Sequence, residues 1–308
     1  MDWRTALRLE PFQRLACAVA VALSGAAAAR QALHAVRVVG YSAGTGAAPG
    51  HRNPAAALGD PARMTGFMGS QETVTPFQPA YRADQVVSIG AGGWIELELG
   101  APATNDPSHP FGVDLIVFGN AFFADMVPGA GVPLYCAGEG GSIELSEDGQ
   151  TWFTVPGVTA DGPMPTMGWV DAGPYDILPG AVPTDFRKPM DPAITESDLI
   201  GLDYADVVAV YGGSAGGVGV DLAWVGLQRA RFVRISHAVG GVGSPEIDAV
   251  TVLAAAASPA DLDGNGTVDA GDIGVLLTYF GQVGGPADLD GSGMVDAGDI
   301  SVLLLEMS

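Results

Sequence analysis

Apolar and polar residues alternate with a period of two through much of this chain. Ile95, Leu97 and Leu99 share one parity, and Glu96 and Glu98 hold the other. Successive side chains of a strand point to opposite faces, so this stretch is predicted as a strand with one buried face. Val233 and Ile235 flank Arg234 in the same manner. Short segments of strand character also lie at 36–41, 86–89, 115–118, 142–146, 152–155, 207–211, 232–236 and 247–253, separated by Gly, Pro, Asp and Asn. No stretch before residue 255 carries a long period of 3.6. Many short strands with turn residues between them predict a mainly β fold, a β-sandwich. Two stretches, 42–81 and 156–200, lack strand signals, and loops of that length are usually functional or partly disordered. Trp169, Tyr175 and Phe186 in the second stretch are candidates to line a ligand site or to fold the loop back onto the sheet.

Beyond residue 260 the period changes. Ile273, Leu276, Leu277 and Phe280 fall at i, i+3, i+4 and i+7, and Ile300, Leu303, Leu304 and Met307 repeat the spacing. The pattern predicts two amphipathic helices whose apolar stripes bury each other. An acidic loop leads into each. The first places Asp261, Asp263, Asn265, Asp269 and Asp272 at loop positions 1, 3, 5, 9 and 12, with the Thr267 carbonyl at 7 and Gly266 at the bend. The second, 27 residues on, places Asp288, Asp290, Ser292, Asp296 and Asp299 there, with the Met294 carbonyl at 7. Ca²⁺ takes six to eight oxygens, which a chain alternating side-chain and carbonyl oxygens around a glycine bend can wrap. Two calcium ions are expected. Asp272 and Asp299 also sit where a helix N-terminus favours negative charge. Both loops end in Asp, and neither follows a helix of its own. This order of loop-helix, linker, loop-helix resembles a type I dockerin. The resemblance implies a cohesin-like protein partner, contacted through loop positions 10 and 11, here Ala270-Gly271 and Ala297-Gly298.

Charge narrows the partners. The net charge is −22 and Lys188 is the single lysine. Such a chain repels phosphate backbones and anionic membranes, which excludes nucleic-acid binding. Arg4, Arg8 and Arg14 precede an apolar run at 15–23 and small residues at 24–29. This reads as a signal peptide over residues 1–32, cut somewhere between Ala27 and Ala35, so a secreted or cell-surface protein is expected. The apolar run is too short for a membrane span. Cys136 is then the one remaining cysteine and no intramolecular disulfide is expected. The chain divides into this signal, a sandwich at 36–254, a linker at 255–260 and the calcium module at 261–308.

Ser146-Glu147-Asp148-Gly149 followed by Trp152 reads as a hairpin. Together with Phe232-Val233-Arg234-Ile235 and Glu246-Ile247-Asp248-Ala249-Val250, it resembles the discoidin, or galactose-binding-like, jelly rolls. That resemblance implies glycan binding through loops at one end of the sandwich, with Asp114, Asn120 and Asp221 as candidate polar residues or plain turn formers. Catalytic patterns are thin. Gly212-Gly213-Ser214-Ala215-Gly216 spells a nucleophile elbow after an expected strand, with His237 the single downstream histidine, but too little domain follows for the remaining strands of a hydrolase. His34, His51, His109 and His237 form no zinc spacing. Glu139, Glu144, Glu246 and Asp248 are the carboxylates from which a glycosidase pair could be drawn. The expectation is a non-catalytic glycan- or surface-binding sandwich tethered by its tail. The alternatives are a polysaccharide-degrading enzyme or accessory subunit carrying a dockerin, and a structural cell-surface assembly protein.

Overall fold

The computed structural model describes residues 33–66, 72–253, 259–262, 268 and 270–307. The signal-peptide segment 1–32 and most of the linker lie outside the described residues. The chain divides into two compact units, one spanning 32–255 and the other holding 256–308.

The larger unit is mainly β. Strands are numbered along the chain. One sheet runs, in order, β1 (Ala35–Ser42), β5 (Trp94–Thr104), β12 (Arg229–Ser236), β9 (Ser142–Ser146) and β10 (Phe153–Thr154). The other runs β11 (Val218–Val220), β6 (Leu115–Gly119), β13 (Glu246–Val252) and β4 (Val87–Ser88). The pairings within both sheets are antiparallel. Ile95, Leu97 and Leu99 of β5, Ile143 and Leu145 of β9, and Val233 and Ile235 of β12 share one core with Leu115, Val117, Ile247, Val250 and Val252 of the second sheet. Alternation in the sequence therefore decides which face of each sheet meets the other. Each such side chain contributes on the order of 2 kcal/mol by leaving water.

The outward positions of the first sheet are charged and paired in register. Arg234 stands opposite Glu96 on one side and Glu144 on the other. Its guanidinium donates to Glu96 at 2.6 Å and lies 3.9 Å from the Trp152 ring. Arg37 and Arg231 both grip Glu98. The 146–152 connection is longer than a two-residue hairpin. Asp148 accepts from the backbone N–H of Gln150 and Thr151, and Gly149 takes φ 72°.

Segment 207–211 corrects the sequence reading: it is not a strand but the end of helix α2 (Tyr204–Tyr211), which follows the single turn α1 (Glu196–Leu199). Asp203 caps α2 by accepting from the Asp206 N–H, and Gly212 ends it in the left-handed region at φ 57°. Val207 and Tyr211, four residues apart, are the buried pair. A β-branched run misled the period reading because the helix is only two turns long. Two ribbons also went unpredicted: β2 (Met64–Thr65) with β3 (Glu72–Thr73), and β7 (Phe122–Asp125) with β8 (Pro133–Ala137).

These irregular parts build a second core. Phe77, Phe123, Met164, Met167, Met190, Leu199, Val207 and Tyr211 pack together. The aromatics of the 156–200 stretch serve as anchors. Phe186 is buried edge-on to Phe118 at 5.5 Å, and the Arg63 guanidinium lies 4.0 Å from the Phe186 ring and 5.7 Å from that of Trp169. The Tyr175 hydroxyl donates to Asp125. Asp125 also accepts from the N–H groups of Val127, Gly129, Gly131 and Val132. Partial burial pushes its carboxyl up, but the donors from Gly131, Val132 and Tyr175 outweigh that and hold it at about 2.

The tail unit has helices α3 (Ala270–Tyr279) and α4 (Ala297–Glu306) around Ala260, Leu276, Ala287, Val295 and Leu303. The expected mutual burial of the two stripes holds for Leu276 and Leu303 only in part. Leu277, Phe280, Leu304 and Met307 are exposed, because two short helices meet along one line. Among the described residues no helix is long and apolar enough to cross a membrane.

Candidate metal centre

The loop from Asp288 to Asp299 is shaped by its own backbone. Asp296 caps α4, accepting from the Gly298 N–H at 2.7 Å. Asp299, three residues on, reaches back. One carboxylate oxygen accepts from the Asp296 N–H at 2.7 Å, and the other accepts from Leu289 and Asp290 at 2.6 and 3.1 Å. This reciprocal cap satisfies N–H groups at the helix start and ties the beginning of the loop to its end. These donors, that of Asp296 first, hold the buried Asp299 carboxyl below its usual range. Asp290 accepts from the Ser292 N–H and Asp288 from the Gly293 N–H, while the Ser292 hydroxyl donates to the Met294 carbonyl.

The result is a convergence. Carboxylate oxygens of Asp288, Asp290 and Asp299 lie within 4.8 Å of one another. Asp288 Oδ1 is buried and has no hydrogen-bond partner. Three like charges this close repel, and a buried bare oxygen is costly. A hard divalent cation offsets both, and a donor set of oxygens alone fits Ca²⁺ and not zinc. Gly298 faces inward: a Cβ built there would sit 2.4 Å from Asp290 Oδ2. A side chain at that position would displace the Asp290 carboxylate, whereas Ala297 is exposed. Gly298→Ala is expected to push Asp290 aside and weaken calcium binding on the order of tenfold, as read by isothermal titration; unchanged affinity would show that Asp290 is not a ligand.

In the first loop Asp272 is buried in the first turn of α3 and Asp261 is half-buried. Ala270 and Gly271 are exposed at the start of that helix. Asp263, Asn265, Thr267 and Asp269 lie outside the described residues.

The candidate residues of the sandwich are mostly engaged in shaping the fold. Asp114 is buried and bonded to His109 Nδ1 at 2.8 Å and to the N–H groups of Asp106 and Leu222. Asp221 caps a short 3-10 turn by accepting from Ala223. Both shape turns. Asn120 is buried beside Ala121, whose N–H donates to Asp161. Ser214 does not stand on a nucleophile elbow: a helix precedes it, and its buried hydroxyl donates to the Lys188 carbonyl and accepts from Gly216. The His237 ring instead packs against Gly241. Glu144 faces Arg234, and Asp248 is buried, pushed up to about 8 by that burial although it accepts from the Ala62 N–H.

Glu139 and Glu246 are near enough to act on each other: burial first and Glu246 second push the Glu139 carboxyl up to about 7. Asp161, unnoticed in the sequence, lies beside them and accepts from Ala121 and Glu139. It sits in the patternless 156–200 stretch, where only tertiary folding gives it neighbours. Cys136 lies in β8, where burial and then Glu196 push its thiol up to about 12. Native protein at pH 8 is expected to resist iodoacetamide and to react only after unfolding. Fast native alkylation would contradict this placement.

No family model and no curated protein matches the chain. Among solved structures, a chain titled "Glycoside hydrolase" is similar at 13% identity, over 71% of this chain and 31% of that one, with a TM-score of 0.24. The likeness thus spans about a third of that chain's length, and no fold or activity is transferred from it.

Proposed function

We propose that this is an exported calcium-binding protein. In this reading a non-catalytic, jelly-roll-like sandwich of the discoidin type binds a glycan or another surface component, and a dockerin-like tail tethers it. The observation that carries the reading is the buried, unpartnered oxygen of Asp288, a residue whose carboxylate stands in a cluster of three. Asp288, Asp290, Ser292, the Met294 carbonyl, Asp296 and Asp299 would hold one ion. Asp261, Asp263, Asn265, the Thr267 carbonyl, Asp269 and Asp272 would hold the other. Calcium supplies charge neutralisation there and no reaction chemistry. Asp299 fixes the start of the loop through Leu289 and Asp290, and Asp296 begins the helix, so ion binding and helix formation are one event.

A non-catalytic sandwich is favoured by the engagement of its nucleophile candidates: Ser214 in a turn, Cys136 as a raised thiol and Glu144 against Arg234. The tether rests on the dockerin resemblance, which implies a cohesin-like partner. The test is titration of the full chain with calcium, followed by a glycan array and a polysaccharide-hydrolysis screen with the loaded protein. Two-site calcium binding with glycan hits and no turnover is expected. Absence of calcium binding sinks the tail reading, and turnover abolished by a carboxylate substitution in the sandwich sinks the non-catalytic one.

A further inference from the structure

Three irregularities of the first sheet fall at one place. Val36 is an extra residue of β1, since Ala35 pairs with Leu99 and Arg37 with Glu98. Residues 99–102 of β5 stand against Arg231 alone, since Ala103 pairs with Ala230 and Glu98 with Phe232. Such bulges bend a strand and re-aim its side chains. Here they open a cavity of about 570 Å³, lined by Arg37, Arg231 and Glu98 together with Val36, Leu99 and Pro102. That size is ordinary for a small-molecule site, about 300–1,000 Å³.

Glu98 is buried, and its acceptors are fully used. Its Oε1 accepts from Arg231 Nε and Nη2 at 3.0 and 2.7 Å, and its Oε2 faces Nε and Nη2 of Arg37. A carboxylate offers about four acceptor sites, and these bonds occupy them. Each guanidinium carries more N–H donors than Glu98 takes up, and the Nη1 groups of both arginines have no part in the clasp. Both side chains are more than half exposed, at 59% and 58%. Two cations against one anion leave the cavity with surplus positive charge. In a chain with 35 acidic and 13 basic residues, one guanidinium neutralises Glu98 and the second is surplus to that pairing. Arg229, two positions before Arg231 and exposed, adds a further cation to the strand.

We propose that this cavity binds the carboxylate of a uronic acid, held by the free guanidinium edges of Arg37 and Arg231, with Val36 and Pro102 against the carbon face of the sugar ring. The inference rests on the glycan-binding reading of the sandwich and gives it a ligand class and a place, on a sheet face instead of at the loops. A guanidinium fork matches a planar carboxylate bidentately. One carboxylate balances the surplus charge, whereas a phosphate dianion would exceed it beside Glu98. The net charge of −22 disfavours a densely charged polymer, so the glycan that fits carries isolated uronic acids among neutral sugars.

Titration of the full chain with galacturonic acid, followed through the arginine Nε–H resonances of isotope-labelled protein, tests the site. The resonances of Arg37 and Arg231, identified by their loss in Arg37→Lys and Arg231→Lys, are expected to shift. They should stay still with galactose, which carries a hydroxymethyl group in place of the carboxylate. Arg231→Ala is expected to weaken binding on the order of tenfold, and Arg231→Lys nearly as much, since an ammonium keeps the charge and lacks the fork. Arg37→Ala probes the same clasp from the other side, should Arg231→Ala impair folding. Arg82→Ala, bridged to Asp84 away from the cavity, should leave binding unchanged. The proposal is overturned by equal shifts with galactose, by still resonances with galacturonic acid, or by tighter binding of inorganic phosphate or of a peptide's C-terminal carboxylate. Glycan-array hits that persist in Arg231→Ala then leave the glycan-binding reading standing without this site, whereas an array with no hits, added to a silent titration, removes both.

Discussion

Chelating calcium is expected to melt α3 and α4 while the sandwich stays folded. The helical signal in circular dichroism should fall and the near-ultraviolet signal of the tryptophans, all of which lie outside the tail sequence, should persist. The reason is the ledger of the tail core. It buries Ala260, Leu276, Ala287, Val295 and Leu303 completely and leaves Leu277, Phe280 and Leu304 in water. So small a core does not hold three converging carboxylates together without help. Calcium at a hundred times its Kd adds about 2.7 kcal/mol to the folded tail, enough to decide whether it folds. Asp299→Ala removes a proposed ligand and the acceptor for the N–H groups of Asp296, Leu289 and Asp290, so loss of the second ion altogether is expected. Asp288→Asn is the sharper variant. If calcium is the partner of Asp288 Oδ1, affinity drops on the order of tenfold. If it is not, relieving the repulsion makes the metal-free tail more stable and leaves calcium binding alone, which would falsify the assignment.

The second large effect belongs to Arg63. Its guanidinium donates to the carbonyls of Gly168 and Thr184 at 2.6 and 2.8 Å and to the Thr184 hydroxyl, while stacking on Phe186. Arg63→Ala is expected to cost about 3 kcal/mol, since bonds to a charged donor are worth about 1.5–3 kcal/mol each and the freed carbonyls are partly buried. Arg63→Lys should cost nearly as much. An ammonium keeps the charge but cannot span two carbonyls and a ring as a planar fork does. Denaturant unfolding followed by tryptophan fluorescence reads both. A lysine variant of parental stability would mean that the charge alone anchors the loop.

The two predictions fall on opposite sides of what the sequence discloses. The cluster of Asp288, Asp290 and Asp299 was legible from spacing because it is local: these residues lie within twelve consecutive positions. The period-two strands were legible too. Ile95, Leu97, Val233 and Ile235 face the core because alternation leaves a half-buried strand no other register. The inward side of Gly298 was not legible, since small residues at that position read equally well as a partner surface. Segment 207–211 misled because a two-turn helix with one buried pair, Val207 and Tyr211, carries too little periodicity to outweigh a β-branched run.

What the sequence by itself determined is therefore the mainly β class, the face of each main strand and the convergence of three carboxylates in the tail. Each of these rests on contacts between near neighbours or on a strict period. The tertiary structure alone decided that Trp169 and Phe186 are anchors beneath Arg63, that Ser214 is a turn residue, and that Glu139, Asp161 and Glu246 share one corner. Those contacts span tens to more than a hundred residues, and no local propensity encodes which distant side chain arrives opposite. They are settled only when two sheets have closed on their common core and the long loops have found what remains uncovered.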